Sequence, residues 1–167
     1  MSVALMMGSD SDWSRMEVCA KTVESFGIEC DVRVLSAHRT PHEVVSYVEE
    51  SAARGVKVFI CAAGGAAHLA GVVAAHTMLP VLGVPLDNPP LGGLDALLAT
   101  VQMPGGIPVA TFAVGGGGPM NAALFAVRVL ASSDAALAKK LDAFGKEQTR
   151  KVGEKDARLQ AARKSNA

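Results

Sequence analysis

Aromatic residues are scarce in this 167-residue sequence: they make up 4% of it, with a single tryptophan and a single tyrosine. An excess of charge of either sign is also missing, because 16 Lys and Arg are balanced by 16 Asp and Glu. A nucleic-acid-binding protein uses basic side chains against phosphates and aromatic rings against unstacked bases. The composition therefore argues against nucleic acid as the partner.

Cysteine and uninterrupted apolar runs are also limited. Cys19, Cys30 and Cys61 are odd in number and lack Cys-x-x-Cys or Cys/His metal spacing, so we expect reduced thiols, no disulfide and no metal site. The apolar run over residues 58–75 consists mainly of small residues and is interrupted by glycines and a histidine. We therefore expect a buried strand, a loop and a helix there rather than a membrane span. The chain enters an apolar strand without a basic leader, so we expect a cytoplasmic protein with no membrane association.

Two common nucleotide-binding motifs are missing. No Gly-x-Gly-x-x-Gly follows the first apolar run, and Gly-x-x-x-x-Gly-Lys-Ser/Thr does not occur. Dinucleotide and P-loop chemistry therefore lose support.

What the chain does contain is a regular alternation of apolar strands and amphipathic helices. Strands are predicted at residues 3–7, 31–35, 57–62, 80–85 and 108–114, and helices begin near Trp13, Pro41, His68, Gly92 and Pro119. Such alternation predicts an α/β, flavodoxin-like three-layer sandwich around a parallel five-stranded sheet in the order 2-1-3-4-5, with an extended C-terminal helix. We expect one domain over residues 1–167, with a core over about 3–132 and a C-terminal helix and tail over about 134–167. The charged end, residues 154–167, should fray.

The loop after the second strand is the first candidate site. Ser36, His38 and Arg39 stand there, and Thr40-x-x-Glu43 predicts a capping box at the start of the next helix. The carboxyl ends of parallel strands and helix amino termini are where such sheets bind ligands. Arg39 is suited to clamp a phosphate and His38 to carry a proton, although both side chains would also suit a solvated loop.

The loop after the first strand offers Ser9, Asp10, Ser11 and Asp12. These side chains suit ribose hydroxyls, and the following helix N–H groups suit a phosphate. An ordinary Ser/Asp helix cap is the alternative interpretation, and a Mg²⁺ site at Asp10 and Asp12 is a weaker one.

The loop after the third strand, residues 64–68, is built from glycine and alanine up to His68. Small residues let a ligand approach backbone N–H groups closely, and Gly64 and Ala67 are candidate contacts. His68, in the first turn of a helix, either orients the substrate or is a half-buried histidine without a chemical role, and His42 and His76 are assigned to helix surfaces. In the order 2-1-3 the three loops meet, which predicts a small phosphorylated metabolite with His38 as acid/base.

These loops carry motifs that resemble a known family. The resemblance runs through residues 8–12 (GSDSD), 36–41 (SAHRTP), 64–69 (GGAAHL), 80–85 (PVLGVP), 101–104 (VQMP) and 121–124 (NAAL). In this order the motifs resemble those of PurE, the class I N5-carboxyaminoimidazole ribonucleotide mutases of bacterial purine biosynthesis. Ala70, where the family usually has proline, and the glycine-rich residues 115–119 depart from its pattern.

The resemblance implies a flavodoxin-like homo-octameric isomerase that moves a carboxylate from the exocyclic nitrogen to carbon 4 of aminoimidazole ribonucleotide without metal, ATP or biotin. It implies that Ser9, Asp12 and Arg39 bind the ribonucleotide, that His38 is the acid/base, and that residues 64–68 surround the imidazole and the carboxylate. Independently, residues 119–130 predict a helix that is apolar nearly all round, which a neighbouring subunit could cover.

Two alternative functions remain open besides the mutase. One is an aminoimidazole ribonucleotide carboxylase that uses free CO₂, and the other is a non-catalytic nucleotide- or flavin-binding module of the same fold.

Overall fold

The structure is a computed structural model that describes residues 1–165 of the chain. Its strands are β1 (Ser2–Met7), β2 (Glu29–Val34), β3 (Val56–Ala63), β4 (Val81–Pro85) and β5 (Ala110–Thr111). Its α-helices are α1 (Trp13–Ser25), α2 (Pro41–Ala53), α3 (Leu69–Ala75), α4 (Leu94–Val101), α5 (Gly118–Ala131) and α6 (Ala135–Ser165), and a 3-10 turn covers Asp10–Asp12.

The five strands form one parallel sheet in the order β2-β1-β3-β4-β5, which confirms the predicted topology. Leu5 of β1 pairs with Val32 of β2 on one side and with Ile60 of β3 on the other. Because β1 and β3 are neighbours while the chain leaves them in different directions, the loops that follow them open a crevice at the carboxyl edge.

The central strand β1 is buried on both faces, as a parallel strand with helices above and below it should be. Ala4 and Met6 pack into one cluster with Val44 and Val48 of α2 and with Leu69 of α3. The alternate residues of β1 point to the opposite face and are equally buried. On that side α1 contacts β1 and β2.

The fifth strand is much shorter than predicted. Of residues 108–114, only Ala110 and Thr111 pair with β4, and Phe112 N–H adds a bond to the Gly83 carbonyl oxygen at 2.9 Å. The strand lies at the edge of the sheet, so one neighbour alone can hold it, and Pro108 has no N–H to contribute. The apolar pattern therefore overestimated the length of this strand.

The chain divides into two compact units, Met1–Val127 and the segment from Arg128 onward. The first unit contains the whole sheet and α1 to α4. In the second unit, Asp134 Oδ1 accepts hydrogen bonds from the N–H groups of Ala136 and Leu137 at 2.9 and 3.0 Å, which starts α6. The helix continues to Ser165, so the prediction that residues 154–165 fray is wrong, while Asn166 and Ala167 lie outside the described residues.

The apolar run over residues 58–75 forms most of β3, the following loop and α3, as predicted. Within residues 1–165 no helix is both long enough and apolar enough to cross a membrane. Cys19, Cys30 and Cys61 are free thiols. Burial raises the pKa of all three thiols, that of Cys30 to about 12, so these groups are poor nucleophiles at neutral pH.

Candidate active site

The loops after β1, β2 and β3 surround a cavity of about 380 Å³ at the carboxyl edge of the sheet. Seven of the predicted site residues line it: Ser9, Ser11, Asp12, Ser36, His38, Arg39 and Gly64. The structure thus brings together residues that are up to 55 positions apart in the sequence. Two predicted residues, Ala67 and His68, lie outside the cavity wall.

The loop after β2 is a tight turn organised by two hydroxyl groups. Ser36 Oγ accepts hydrogen bonds from the N–H groups of His38 and Arg39 at 3.4 and 3.2 Å. Thr40 Oγ1 accepts from Ser36 N–H at 2.9 Å and donates to the Ser36 carbonyl oxygen at 3.2 Å. These hydrogen bonds therefore fix the backbone that carries the side chains of His38 and Arg39.

The predicted capping box at Thr40 is wrong. Thr40 occupies the N-cap position and Pro41 begins α2 as expected, but the Thr40 side chain makes no capping bond to the helix. Its hydroxyl group is already engaged by the Ser36 backbone, which lies four residues earlier. The threonine therefore shapes the loop instead of closing the helix end.

Arg39 ties the loop after β2 to the loop after β1. Its Nη2 donates to the Gly8 carbonyl oxygen at 2.6 Å, and its Nε contacts Ser36 Oγ at 3.4 Å. A guanidinium has five N–H donors, so these two contacts leave three more on a residue that lines the cavity. The geometry fits an anionic group held at the meeting point of the two loops.

The His38 and His68 rings are in direct contact. His38 Nε2 lies 2.8 Å from His68 Nδ1, and the rings are edge to face with centroids 4.9 Å apart and planes at 87°. A hydrogen bond between two imidazole nitrogens needs one proton between them, so one ring donates while the other accepts. The pair can hold a proton at the cavity or pass it on, which is what an acid/base site requires.

His68 reaches the site from a slightly different position than predicted. It is the N-cap residue of α3 rather than a residue of its first turn. Its Nδ1 lies 2.8 Å from His38 Nε2, so His68 is positioned to orient the His38 ring. His76, predicted on a helix surface, instead follows the last residue of α3, whereas His42 lies exposed on α2 as expected.

The loop after β1 combines a buried carboxylate with a small hydroxyl network. Ser9 is the N-cap of the 3-10 turn, and its Oγ accepts from Ser11 N–H at 3.3 Å and from Ser11 Oγ at 2.9 Å. The helix-cap interpretation therefore holds for Ser9, without removing its side chain from the cavity wall. Asp12 is 5% exposed, and burial raises the pKa of its carboxyl group against the opposing effects of a Ser9 backbone hydrogen bond and of Arg15.

No group of three or more His, Cys, Asp or Glu side chains within residues 1–165 is arranged to hold a metal ion. In particular, Asp10 and Asp12 do not gather a third ligand of this kind in the described chain.

The loop after β3 contributes backbone and small side chains. Gly64 and Ala66 line the cavity, whereas Ala67 is buried beneath it at 1% exposure. The Ala67 carbonyl oxygen accepts from Thr100 Oγ1 at 3.5 Å, so this residue packs against α4 rather than facing a ligand.

One cavity residue, Asn88, was not predicted from the sequence. It follows β4, and its side chain joins those of the three expected loops. The sequence does contain a signal for this residue. The strand β4 neighbours β3 in the predicted order, and the polar pair Asp87 and Asn88 follows β4 closely. A fourth loop at the same edge follows from that order.

The fold and the cavity define a class: flavodoxin-like α/β proteins with a polar cavity where the loops after β1, β2 and β3 meet. The chain belongs to the AIR carboxylase (AIRC) family, whose sequence pattern it matches over residues 2–151.

Three individual proteins are similar to this chain over most of its length. The N5-carboxyaminoimidazole ribonucleotide mutase of Brucella melitensis is 53% identical over 92% of this chain and 94% of its own length. That of Mycobacterium leprae is 51% identical over 96% of this chain and 93% of its own. A crystal structure of Treponema denticola PurE superimposes with a TM-score of 0.82 and 31% identity, covering 94% of this chain and 97% of that one. The resemblance to PurE is thereby confirmed.

Proposed function

We propose that the chain is an N5-carboxyaminoimidazole ribonucleotide mutase. It converts N5-carboxyaminoimidazole ribonucleotide to 4-carboxy-5-aminoimidazole ribonucleotide in the de novo pathway to IMP. The observation that carries the proposal is the contact of His38 Nε2 with His68 Nδ1 at 2.8 Å beside a cavity of about 380 Å³. Relatives at about half identity over nearly the whole chain, named as this mutase, support the same reaction.

The ribonucleotide is held by the loops after β1 and β2. Arg39, already directed toward Gly8, clamps the phosphate. Ser9, Ser11 and Asp12 face the ribose hydroxyl groups, and Ser36 fixes the turn that presents Arg39. The aminoimidazole ring then extends toward Gly64 and His38.

The reaction itself needs one proton given to the exocyclic nitrogen and one proton removed from carbon 4. Protonated His38 gives its proton to the exocyclic nitrogen as the N–carboxylate bond breaks, which leaves an amine and CO₂. Carbon 4 attacks the CO₂ to form the new carbon–carbon bond, and neutral His38 removes the hydrogen that carbon 4 carried. His38 ends in the state in which it began, and His68 orients it through the shared hydrogen bond.

The direct test supplies N5-carboxyaminoimidazole ribonucleotide to the purified protein without ATP or added bicarbonate. Formation of the carbon-4 carboxylated product is the expected result. Product that forms only from aminoimidazole ribonucleotide and abundant bicarbonate would instead identify a carboxylase that uses free CO₂.

The role of His38 is tested by His38→Asn, which keeps a polar group of similar size but cannot carry a proton. We expect turnover to fall about 10²- to 10⁴-fold, the usual contribution of general acid–base catalysis, with ribonucleotide binding preserved. His42→Asn is the matched control, because His42 is exposed on α2 outside the cavity. Turnover of His38→Asn equal to that of His42→Asn would contradict the role.

The oligomeric state, the binding partner and the cellular location belong to the same proposal. The active molecule is a homo-octamer of a single catalytic domain, supported by the apolar side chains that α4 and α5 leave exposed. Its partner is the small ribonucleotide, not nucleic acid or a membrane, in line with the balanced charge. Cytoplasmic location fits three free thiols, which a reducing compartment maintains.

A further inference from the structure

Arg15 forms an ion pair near the cavity that the proposed mechanism does not use. Its Nε lies 2.8 Å from Asp87 Oδ1, and the two side chains are 39% and 47% exposed. Arg15 lies near the start of α1 and Asp87 follows β4, so the pair joins two segments at the carboxyl edge of the sheet. The next residue, Asn88, lies against Gly64 and lines the active-site cavity. Arg15 and Asp87 instead line a second cavity of about 300 Å³.

The residue through which Arg15 can act on the active site is Asp12. Asp12 is the N-cap residue of α1 and has helical backbone angles, with φ −79° and ψ −16°. Side chains three positions apart on such a turn share one helix face, with about 5–6 Å between their Cβ atoms. Asp12 is buried, lines the cavity and makes no side-chain capping bond to α1. Arg15 therefore supplies a positive charge to a buried carboxylate from outside the cavity.

Charged groups from three segments act on the Asp12 carboxylate. Burial raises the pKa of this group, and a Ser9 backbone hydrogen bond lowers it. The charges of Arg15 on α1 and of Arg39 in the loop after β2 also lower this pKa, whereas Asp10 in the 3-10 turn raises it. In the proposed function Arg39 binds the substrate phosphate, which offsets its charge. Arg15 is then the cation that remains to Asp12 when the ribonucleotide is bound.

We propose that Arg15 is a positioning residue for ribonucleotide binding, because its charge keeps the Asp12 carboxylate ionised while the ligand is bound. The inference rests on the proposed mutase function, in which Asp12 faces the ribose hydroxyl groups. An ionised carboxylate offers both oxygens as acceptors to these hydroxyl groups, whereas a protonated one gives up part of that capacity. Asp87 fixes the guanidinium in place through the ion pair. The contribution of Arg15 to binding should therefore appear on acidification.

The test is calorimetric binding of the product, 4-carboxy-5-aminoimidazole ribonucleotide, to the full chain. It covers about pH 4.5 to 8, a range above the ordinary carboxyl pKa. Arg15→Gln removes the charge but keeps a polar side chain. Its affinity should equal that of the wild type at the alkaline end and fall about two- to fivefold below it at the acidic end, as for one exposed ion pair. Arg15→Lys keeps the charge and should restore the wild-type profile.

Lys21→Gln is the matched control. It removes a positive charge from the same helix, where Lys21 is exposed and pairs with Glu17 at 2.9 Å. Imidazole groups and the ligand phosphate also titrate in this pH range. They are present in every variant, so the difference between Arg15→Gln and Lys21→Gln isolates the effect of the charge at position 15.

The Asp12→Asn background separates this role from a merely structural ion pair. Residue 12 cannot titrate in that background, so adding Arg15→Gln should change the affinity no more than adding Lys21→Gln at any pH. A loss of affinity that is equal at every pH, or that persists in the Asp12→Asn background, would overturn the proposal. Either result would mean that Arg15 only ties α1 to the loop after β4.

Conversion of N5-carboxyaminoimidazole ribonucleotide is measured on the same preparations. A wild-type protein that converts it, together with an Arg15→Gln profile that matches Lys21→Gln at every pH, would overturn this inference and leave the mutase function standing. A wild-type protein that converts nothing would overturn the mutase function, and this inference with it.

Discussion

At the scale of single residues, Tyr47 of α2 is buried within a cluster of charged side chains. Its hydroxyl group donates to Asp31 Oδ2 at 2.9 Å, and the guanidinium groups of Arg54 and Arg33 lie 5.0 and 5.6 Å from its ring centroid. Burial, reinforced by the hydrogen bond to Asp31 and the negative charge on it, raises the pKa of Tyr47 to about 12. Burial and Asp31 therefore outweigh the opposing charge of Arg33 and favour the neutral phenol.

The expected consequence is a loss of stability at high pH. Because the pKa of Tyr47 in the folded state exceeds the unfolded value of about 10, its contribution is complete below pH 10 and disappears as pH rises through about 12. This is the sole tyrosine, so phenolate absorbance in the near ultraviolet reports it alone. Tyr47→Phe removes the signal and serves as the control. A native titration midpoint near 10 would contradict the prediction.

The residues that line the cavity were predictable where their position depends on one loop, and less so where two loops meet. His38 and Arg39 could be placed at the cavity because a strand end and a helix start flank them in the sequence. The engagement of Thr40 by Ser36 depends on the turn that the same residues form, so the capping pattern was misleading. The contact of Asn88 with Gly64 joins residues 24 positions apart and could not be derived from spacing.

At the scale of secondary structure, the alternation of strands and helices was sufficient for the parallel sheet and its order. Strands with two neighbours, such as β1 and β3, match their apolar runs within one or two residues. The edge strand β5 does not: only Ala110 and Thr111 pair with β4, and Pro108 has no N–H group for the ladder. Burial of both faces is what makes a sequence pattern reliable for the central strands.

The last part of α6 is predicted to be dispensable. The helix spans 31 residues, yet residues 151–165 are exposed throughout, and Gly153 is a poor helix former within this part. All cavity residues lie within Met1–Val127. A chain that ends at Lys151 should keep its melting temperature and should keep kcat/KM within about a factor of two, as expected for the loss of exposed residues.

Circular dichroism and the carbon-4 carboxylation assay measure the two quantities in parallel. The helical signal should decrease in proportion to the residues removed, which verifies that the truncation acted locally. A large loss of activity in the truncated chain would show that residues 152–167 support the site.

At the scale of the whole molecule, α4 displays an apolar stripe that the sequence analysis did not single out. Leu94, Leu98 and Val101 recur at helical spacing and are 56, 48 and 46% exposed. Leu91, just before the helix, is 61% exposed, and Phe125 on α5 is 41% exposed. The helix over residues 119–130 was predicted to need cover on every side. In the structure the buried positions of this helix fall on one face. The exposed apolar side chains that a partner could cover lie on α4 as well as on α5.

The proposed octamer would bury this stripe, and one charge placed within it should disrupt assembly. In Leu98→Glu, a carboxylate would lose its hydration on association, so we expect the octamer to dissociate into smaller species. Leu159→Glu is the matched control: the same change at 57% exposure, on the part of α6 predicted to be dispensable. Light scattering should give eight times the chain mass for the wild type and the control, and less for Leu98→Glu. A wild-type monomer would contradict the octamer itself. An unchanged octamer in Leu98→Glu would show that α4 faces solvent in the assembly and that another surface joins the subunits.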